Sequence, residues 1–289
     1  MYLDQASKPW QAYAADELEY HYNPRVTTPD SDRYAEARVD SNAAACADAG
    51  RSADIAYGEG DLRTLDIYRP SGGDGPFPVH IFIHGGYWRA RVKEDFAYVG
   101  KALADNGLLG VVINYPLCPA VTLDEVVASN LAAFEWVHRH IAAHGGDAAR
   151  ITLSGHSAGA HLGAAIIAAD WAHLDAAQPL KGAVLVSGIY DPNPTRQIPI
   201  NAEIGLTADV ADRHNYLAQA PRLACPVHVL VGGGESEGWI GQSADYARHI
   251  RAAGVATDYT VSGSENHFSI QDQFADVEAD VLGAILKLA

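Results

Sequence analysis

The chain has 289 residues, of which 48% are hydrophobic, and a formal charge of −16 at neutral pH. This length and apolar content support one large α/β domain or two small ones, with a substantial core. The acidic balance, with no basic patch against it, excludes a nucleic-acid binder and predicts no attraction to anionic membranes. The three cysteines, Cys46, Cys118 and Cys225, are scattered. They make neither a disulfide framework nor a metal set, which points to a reducing cytoplasm. Met1-Tyr2-Leu3-Asp4-Gln5 has no basic or apolar leader character, so no signal peptide is expected. The longest apolar run, Ala158 to Ala169, is too short to span a bilayer.

In chain order, residues 1–50 read as an N-terminal arm and helix. The arm is broken by Pro9, Pro24 and Pro29 and has a helical turn near Ala14 to Glu19; the helix runs from Asp32 to Ala49 and stops at Gly50. Two strand-like runs, Asp54 to Tyr57 and Leu62 to Tyr68, flank the turn signal Gly58-Glu59-Gly60-Asp61 and predict a hairpin. Short apolar strands then alternate with amphipathic helices. Strands are expected at Val79 to Ile83, Leu109 to Asn114, Ile151 to Leu153, Ala183 to Ser187, Val227 to Val231 and Thr257 to Val261. Helices are expected at Lys93 to Asn106, Leu123 to His144, Ala158 to Ala169, Gln242 to Ala253 and Ser269 to Leu288. That alternation implies an α/β fold: a mostly parallel sheet covered by helices on both faces, with the hairpin as an antiparallel edge. No linker or repeat divides residues 1–289, so one domain is expected, with an excursion at 188–221.

The chemistry centres on Gly155-His156-Ser157-Ala158-Gly159, between a β-rich run and a helical run of small residues. It fits G-x-S-x-G, the sharp strand-to-helix turn that presents a nucleophilic serine. An acyl-transfer serine needs a base, an orienting acid and an oxyanion hole. The base is expected after the last strand, where Ser262 to Phe268 holds His267; the only other late histidine, His249, falls within a helix. The acid is expected after Val227 to Val231, where Glu235 comes first and Glu237 competes; Asp245 is more distant and helical. His84-Gly85-Gly86-Tyr87-Trp88 directly follows an early strand, so the N–H groups of Gly86, Tyr87 and Ala158 are the expected oxyanion donors. Tyr87, Trp88, Tyr190, Trp239 and Phe268 are candidates for an aromatic substrate wall, with core packing as the alternative for each. His161 is expected to pack under the elbow, and His156 to be a structural or pocket residue. His138, His140 and His144 have no carboxylate or cysteine to complete a metal set. Gly232 to Gly234 lack the setting of a dinucleotide loop, so no cofactor is expected.

His84-Gly85-Gly86-Tyr87-Trp88, Gly155-His156-Ser157-Ala158-Gly159 and Asn266-His267-Phe268 together resemble the α/β-hydrolase family that includes kynurenine formamidase (arylformamidase). They are similar also to the wider hormone-sensitive-lipase-like esterases. The formamidase group carries H-G-G-x-W where those esterases usually carry H-G-G-G. Leu65-Asp66-Ile67-Tyr68, Asn114-Tyr115-Pro116-Leu117 and Ser187-Gly188-Ile189-Tyr190-Asp191 extend the likeness through most of the chain. The resemblance implies the α/β-hydrolase fold, Ser157 as nucleophile and His267 as base. The group usually has Asp as the acid, whereas this loop offers only glutamates; Glu235 matches by register, and Gly238 stands where a second acid is common. The expected activity is hydrolysis of an aryl formamide such as N-formylkynurenine through an acyl-enzyme. The alternatives are a carboxylesterase or a carbamate or amide hydrolase for small substrates, and, in a different class, a non-catalytic ligand-binding module. The expected partner is a small-molecule substrate, and a homodimer is the default assembly.

Overall fold

A computed structural model describes residue 3, residues 7–174, residue 176 and residues 178–289. Apart from Leu3, the stretch Met1 to Gln5 that bears on a leader lies outside the described residues. Eight strands form one sheet: β1 (Arg51–Ala56), β2 (Thr64–Tyr68), β3 (Phe77–Ile83), β4 (Leu109–Ile113), β5 (Gly146–His156), β6 (Gly182–Val186), β7 (Val227–Gly232) and β8 (Thr257–Ser262). Their order across the sheet is β1-β2-β4-β3-β5-β6-β7-β8. β1 and β2 pair antiparallel with each other, and β2 antiparallel with β4. All remaining neighbours are parallel.

The pleat sends alternate side chains to opposite faces, and the core divides accordingly. Ile81 and Ile83 of β3 and Leu185 of β6 join the helices Leu123–His140, Ala158–Ala168 and Glu237–Ala252 on one face. Phe82, Val184 and Val186 join Ala97–Asp105 and Asp280–Leu288 on the other. The central strands are buried on both sides, which explains why β4 and β6 read as continuous apolar runs.

Several boundaries differ from expectation for identifiable reasons. The helix expected over Asp32 to Ala49 is two helices, Asp32–Glu36 and Val39–Cys46. The break falls at Arg38, whose guanidinium reaches the Phe268 carbonyl at 2.8 Å, Gln271 Oε1 at 3.1 Å and Asp272 Oδ1 at 2.8 Å. Neither glycine nor proline marks that point. The last expected helix divides into a 3-10 segment, Ser269–Phe274, and an α-helix, Asp280–Leu288. The helix expected at Gln242 starts earlier, at Glu237. The segment 188–221 carries only short helices, Thr195–Gln197, Asn201–Ile204 and Ala208–Arg213. Among the described residues no helix is long and apolar enough to cross a membrane.

Candidate active site

Every loop that carries a candidate residue leaves the C-terminal edge of the parallel strands: Gly85 to Trp88 after β3, Ser157 after β5, Glu235 after β7 and His267 after β8. This is where open α/β sheets bind ligands.

Ser157 sits at φ 57°, ψ −119°, a conformation that side chains rarely adopt. Two glycines make the turn possible. A Cβ on Gly155 would lie 2.3 Å from the Gly159 carbonyl oxygen, and one on Gly159 would lie 2.0 Å from that of Ile83 on β3. The turn is anchored by the Ser157 N–H, which donates to the Val186 carbonyl at 2.9 Å.

The Nδ1–H of His267 donates to Glu235 Oε2 at 2.6 Å. The carboxylate accepts two further bonds on Oε1, from the Ser187 hydroxyl at 2.5 Å and the Gly232 N–H at 2.9 Å. Both side chains are almost fully buried, with 5% and 1% exposed for His267 and Glu235, so this hydrogen-bonded pair is shielded from water. Glu237, the competing acid, is exposed and faces Tyr13 instead. Gly232, Gly233 and Gly234 let the two loops touch: added Cβ atoms would stand 2.2, 2.1 and 2.5 Å from the carbonyl oxygens of Glu265, Gly263 and Ser264. Their glycine character therefore serves contact between the Glu235 loop and the His267 loop. The Ser187 bond carries no local sequence signal, since it spans 48 positions.

The turn after β3 is held from several sides. Gly86 has φ 119°, and a Cβ there would lie 2.1 Å from the Ala90 carbonyl oxygen. Tyr87 and Trp88 follow at φ 53° and 57°. His84 stacks on Tyr115 with ring centroids 4.2 Å apart and bonds the Gly85 carbonyl through Nδ1 at 2.7 Å. Its burial lowers its pKa to about 4, so it is neutral near pH 7. Among the described residues the backbone N–H groups of Gly86, Tyr87 and Ala158 have no backbone acceptor.

Ser157, His267, Gly85, Gly86 and Tyr87 line one cavity of about 340 Å³, together with His156 and Phe268. The ring of His156 lies 4.6 Å from that of His267. Burial, and then the neighbouring His267 charge, hold the His156 pKa well below its usual value. The N-terminal helices close the cavity: Tyr34 stacks on Phe268 with centroids 6.3 Å apart, and its hydroxyl accepts from Asn266 Nδ2 at 2.8 Å.

Of the five aromatic candidates, Tyr87 and Phe268 line this cavity. Trp88 is buried, and its Nε1–H donates to His161 Nδ1 at 3.2 Å. His161 in turn donates its Nε2–H to the His214 carbonyl at 3.0 Å. It thus joins the helix after Ser157 to the turn after β3, and burial lowers its pKa to about 3. Tyr190 stacks face to face on Tyr246, with centroids 4.0 Å apart. Trp239 packs on His267 at 4.3 Å and is 1% exposed. These three are supports behind the cavity wall. Among the described residues no cluster of His, Cys, Asp or Glu could hold a metal ion.

The strand order, and a cavity assembled from four loops at one edge of the sheet, define the α/β-hydrolase fold. A solved esterase from Pyrobaculum calidifontis superposes with a TM-score of 0.72 over 90% of this chain and 91% of that one, at 18% identity. The family model described as BD-FAE matches residues 65–179. A kynurenine formamidase from Danio rerio is 30% identical over 294 residues, covering 96% of this chain and 98% of that protein. An isoprenylcysteine alpha-carbonyl methylesterase from Arabidopsis thaliana is 36% identical over 110 residues, 38% of this chain and 26% of its own length. The chain belongs to the kynurenine formamidase family of α/β-hydrolases, and it is a hydrolase.

Proposed function

We propose that the chain is a serine hydrolase that cleaves an aryl formamide such as N-formylkynurenine, with Ser157 as nucleophile, His267 as base and Glu235 as orienting acid. The observation that carries this reading is the buried 2.6 Å bond between His267 Nδ1 and Glu235 Oε2, with His267 lining the same cavity as Ser157. With the Nδ1 proton held by Glu235, the Nε2 lone pair is free to accept the Ser157 proton. Ser157 Oγ attacks the formyl carbon. The N–H groups of Gly86, Tyr87 and Ala158 stabilise the resulting oxyanion. His267 then gives its new proton to the aniline nitrogen as the C–N bond breaks. Water, deprotonated by His267, attacks the formyl ester; formate leaves and Ser157 regains its proton.

The second reading is an esterase for short acyl groups, using the same residues. It is supported by the stretch of likeness to the plant methylesterase. The three free cysteines support a reducing, cytoplasmic setting. The deciding experiment compares kcat/KM for N-formylkynurenine and p-nitrophenyl acetate, with Ser157→Ala as control. A strong preference for the formamide is expected. Hydrolysis of the ester alone would overturn the formamidase reading, and activity that survives Ser157→Ala would overturn the assigned nucleophile.

A further inference from the structure

The chain as a whole is strongly acidic, with 36 Asp and Glu against 20 Lys and Arg. The cavity at Ser157 reverses that balance: among the described residues Arg25, Arg38, Arg89 and Arg91 reach it, against Glu94 and Asp95. Both acids are engaged, Glu94 by the Lys93 ammonium and Asp95 by the Val92 N–H at 3.3 Å. Two of the four arginines are also committed. Arg25 pairs with Asp32 at 3.0 Å, and Arg38 is tied to Phe268, Gln271 and Asp272 through all three of its nitrogens.

Arg89 and Arg91 retain donors. Arg89 contacts Glu203 through Nη1 at 2.7 Å, while its Nε is buried without a partner. Among the described residues Arg91 has only Asp95, at 3.9 Å, beyond hydrogen-bonding reach. Its backbone is held at φ 78°, in the left-handed region, and its side chain packs beside Gly86. The Arg91 Cγ lies 3.2 Å from where a Gly86 Cβ would be, and Ser157 Cβ lies 3.1 Å from the same point on Gly85. Serine and arginine therefore pack on consecutive residues, a step of about 3.8 Å between Cα atoms. An arginine with open N–H groups presents a planar fork that matches a carboxylate.

We propose that Arg91, aided by Arg89, forms the subsite that binds a carboxylate on the leaving half of the substrate of Ser157. This inference rests on Ser157 being the nucleophile but not on the scissile bond being a formamide. The acyl carbon sits at the oxyanion turn while the carboxylate of the leaving group is gripped where the same turn exits.

Two matched pairs test it: 2-formamidobenzoate against formanilide, and 4-acetoxybenzoate against phenyl acetate. The quantity read is the ratio of kcat/KM for the charged over the neutral member. Arg91→Gln is expected to lower that ratio at least tenfold, through KM, with Arg91→Lys recovering part of it and added salt eroding it in the wild type. A ratio unchanged in Arg91→Gln and in the Arg89→Gln/Arg91→Gln double variant overturns the subsite. If neither formamide is cleaved, the formamidase reading fails while the ester pair still reports the ratio. Should the arginine variants not fold, calorimetric titration of Ser157→Ala with 2-aminobenzoate and with aniline replaces them. Binding of the acid at least tenfold tighter is expected; equal binding overturns the proposal.

Discussion

Acidification from pH 7 to pH 5 should strip most of the stability from this protein, through imidazoles rather than carboxylates. His80, His84 and His161 are fully enclosed, and burial lowers their pKa values to about 3, 4 and 3. His80 illustrates the trap: its two ring nitrogens bond Thr152 Oγ1 and Ser154 Oγ, both at 2.8 Å, between neighbouring strands. An unfolded histidine titrates near 6.5. The folded state therefore binds fewer protons, with no penalty above that value. The penalty grows as pH falls through 6.5 and levels off only near the folded values. Between pH 7 and 5 each imidazole costs about 2 kcal/mol, so the three together cost about 6 kcal/mol. Fully buried His156, whose pKa lies well below normal, adds in the same direction. Asp191 works the other way: burial raises its carboxyl pKa, so protonation at lower pH returns some stability. Since whole domains hold only about 5–15 kcal/mol, the loss would be plain in urea unfolding curves at the two pH values. The reasoning is refuted if the unfolding free energy changes by less than about 2 kcal/mol. A sharper version uses His80→Asn, which should reduce the slope between pH 5.5 and 4.5 by about 1.4 kcal/mol per pH unit whatever it does to stability at pH 7.

Other substitutions probe the site directly. Glu235→Gln keeps the shape of the acid but not its charge, and kcat is expected to fall by about 10³–10⁴-fold in steady-state assays with little change in melting temperature. Trp88→Phe leaves His161 Nδ1 without its donor; a loss of about 1–3 kcal/mol is expected in chemical denaturation, with a lower kcat because the turn after β3 is loosened. Gly86→Ala places a methyl 2.1 Å from the Ala90 carbonyl oxygen at a φ of 119°; thermal melting should register at least about 1–3 kcal/mol of strain, and activity should collapse with it.

The elements that impose backbone constraints were readable from residue types. Gly155 and Gly159 are forced by carbonyl oxygens at 2.3 and 2.0 Å, and such crowding leaves a glycine signature in the chain itself. The pairing of His267 with Glu235 follows from their order after the last strands, because the sheet sets where loops can meet. The aromatic wall was read less well. Trp88, Tyr190 and Trp239 stand near the site in sequence, but they are turned into the core, and nothing local separates a lining ring from a supporting one. Long-range ties were equally silent: Ser187 on Glu235 and His161 on Trp88 depend on how loops are brought together. The break at Arg38 belongs here too, since its cause lies 230 or more positions away in the base loop.

The grip of Arg38 has a mechanical meaning. The helices roofing the cavity and the loop that supplies the proposed base are fastened through three hydrogen bonds and the Tyr34 contacts. The roof and the His267 loop are therefore tied together. Any lift of the roof wide enough to admit an oversized molecule would draw His267 away from Ser157 in the same movement. Fit would then be enforced by disarming the proposed chemistry: a molecule too large for the chamber would meet Ser157 parted from its proposed base.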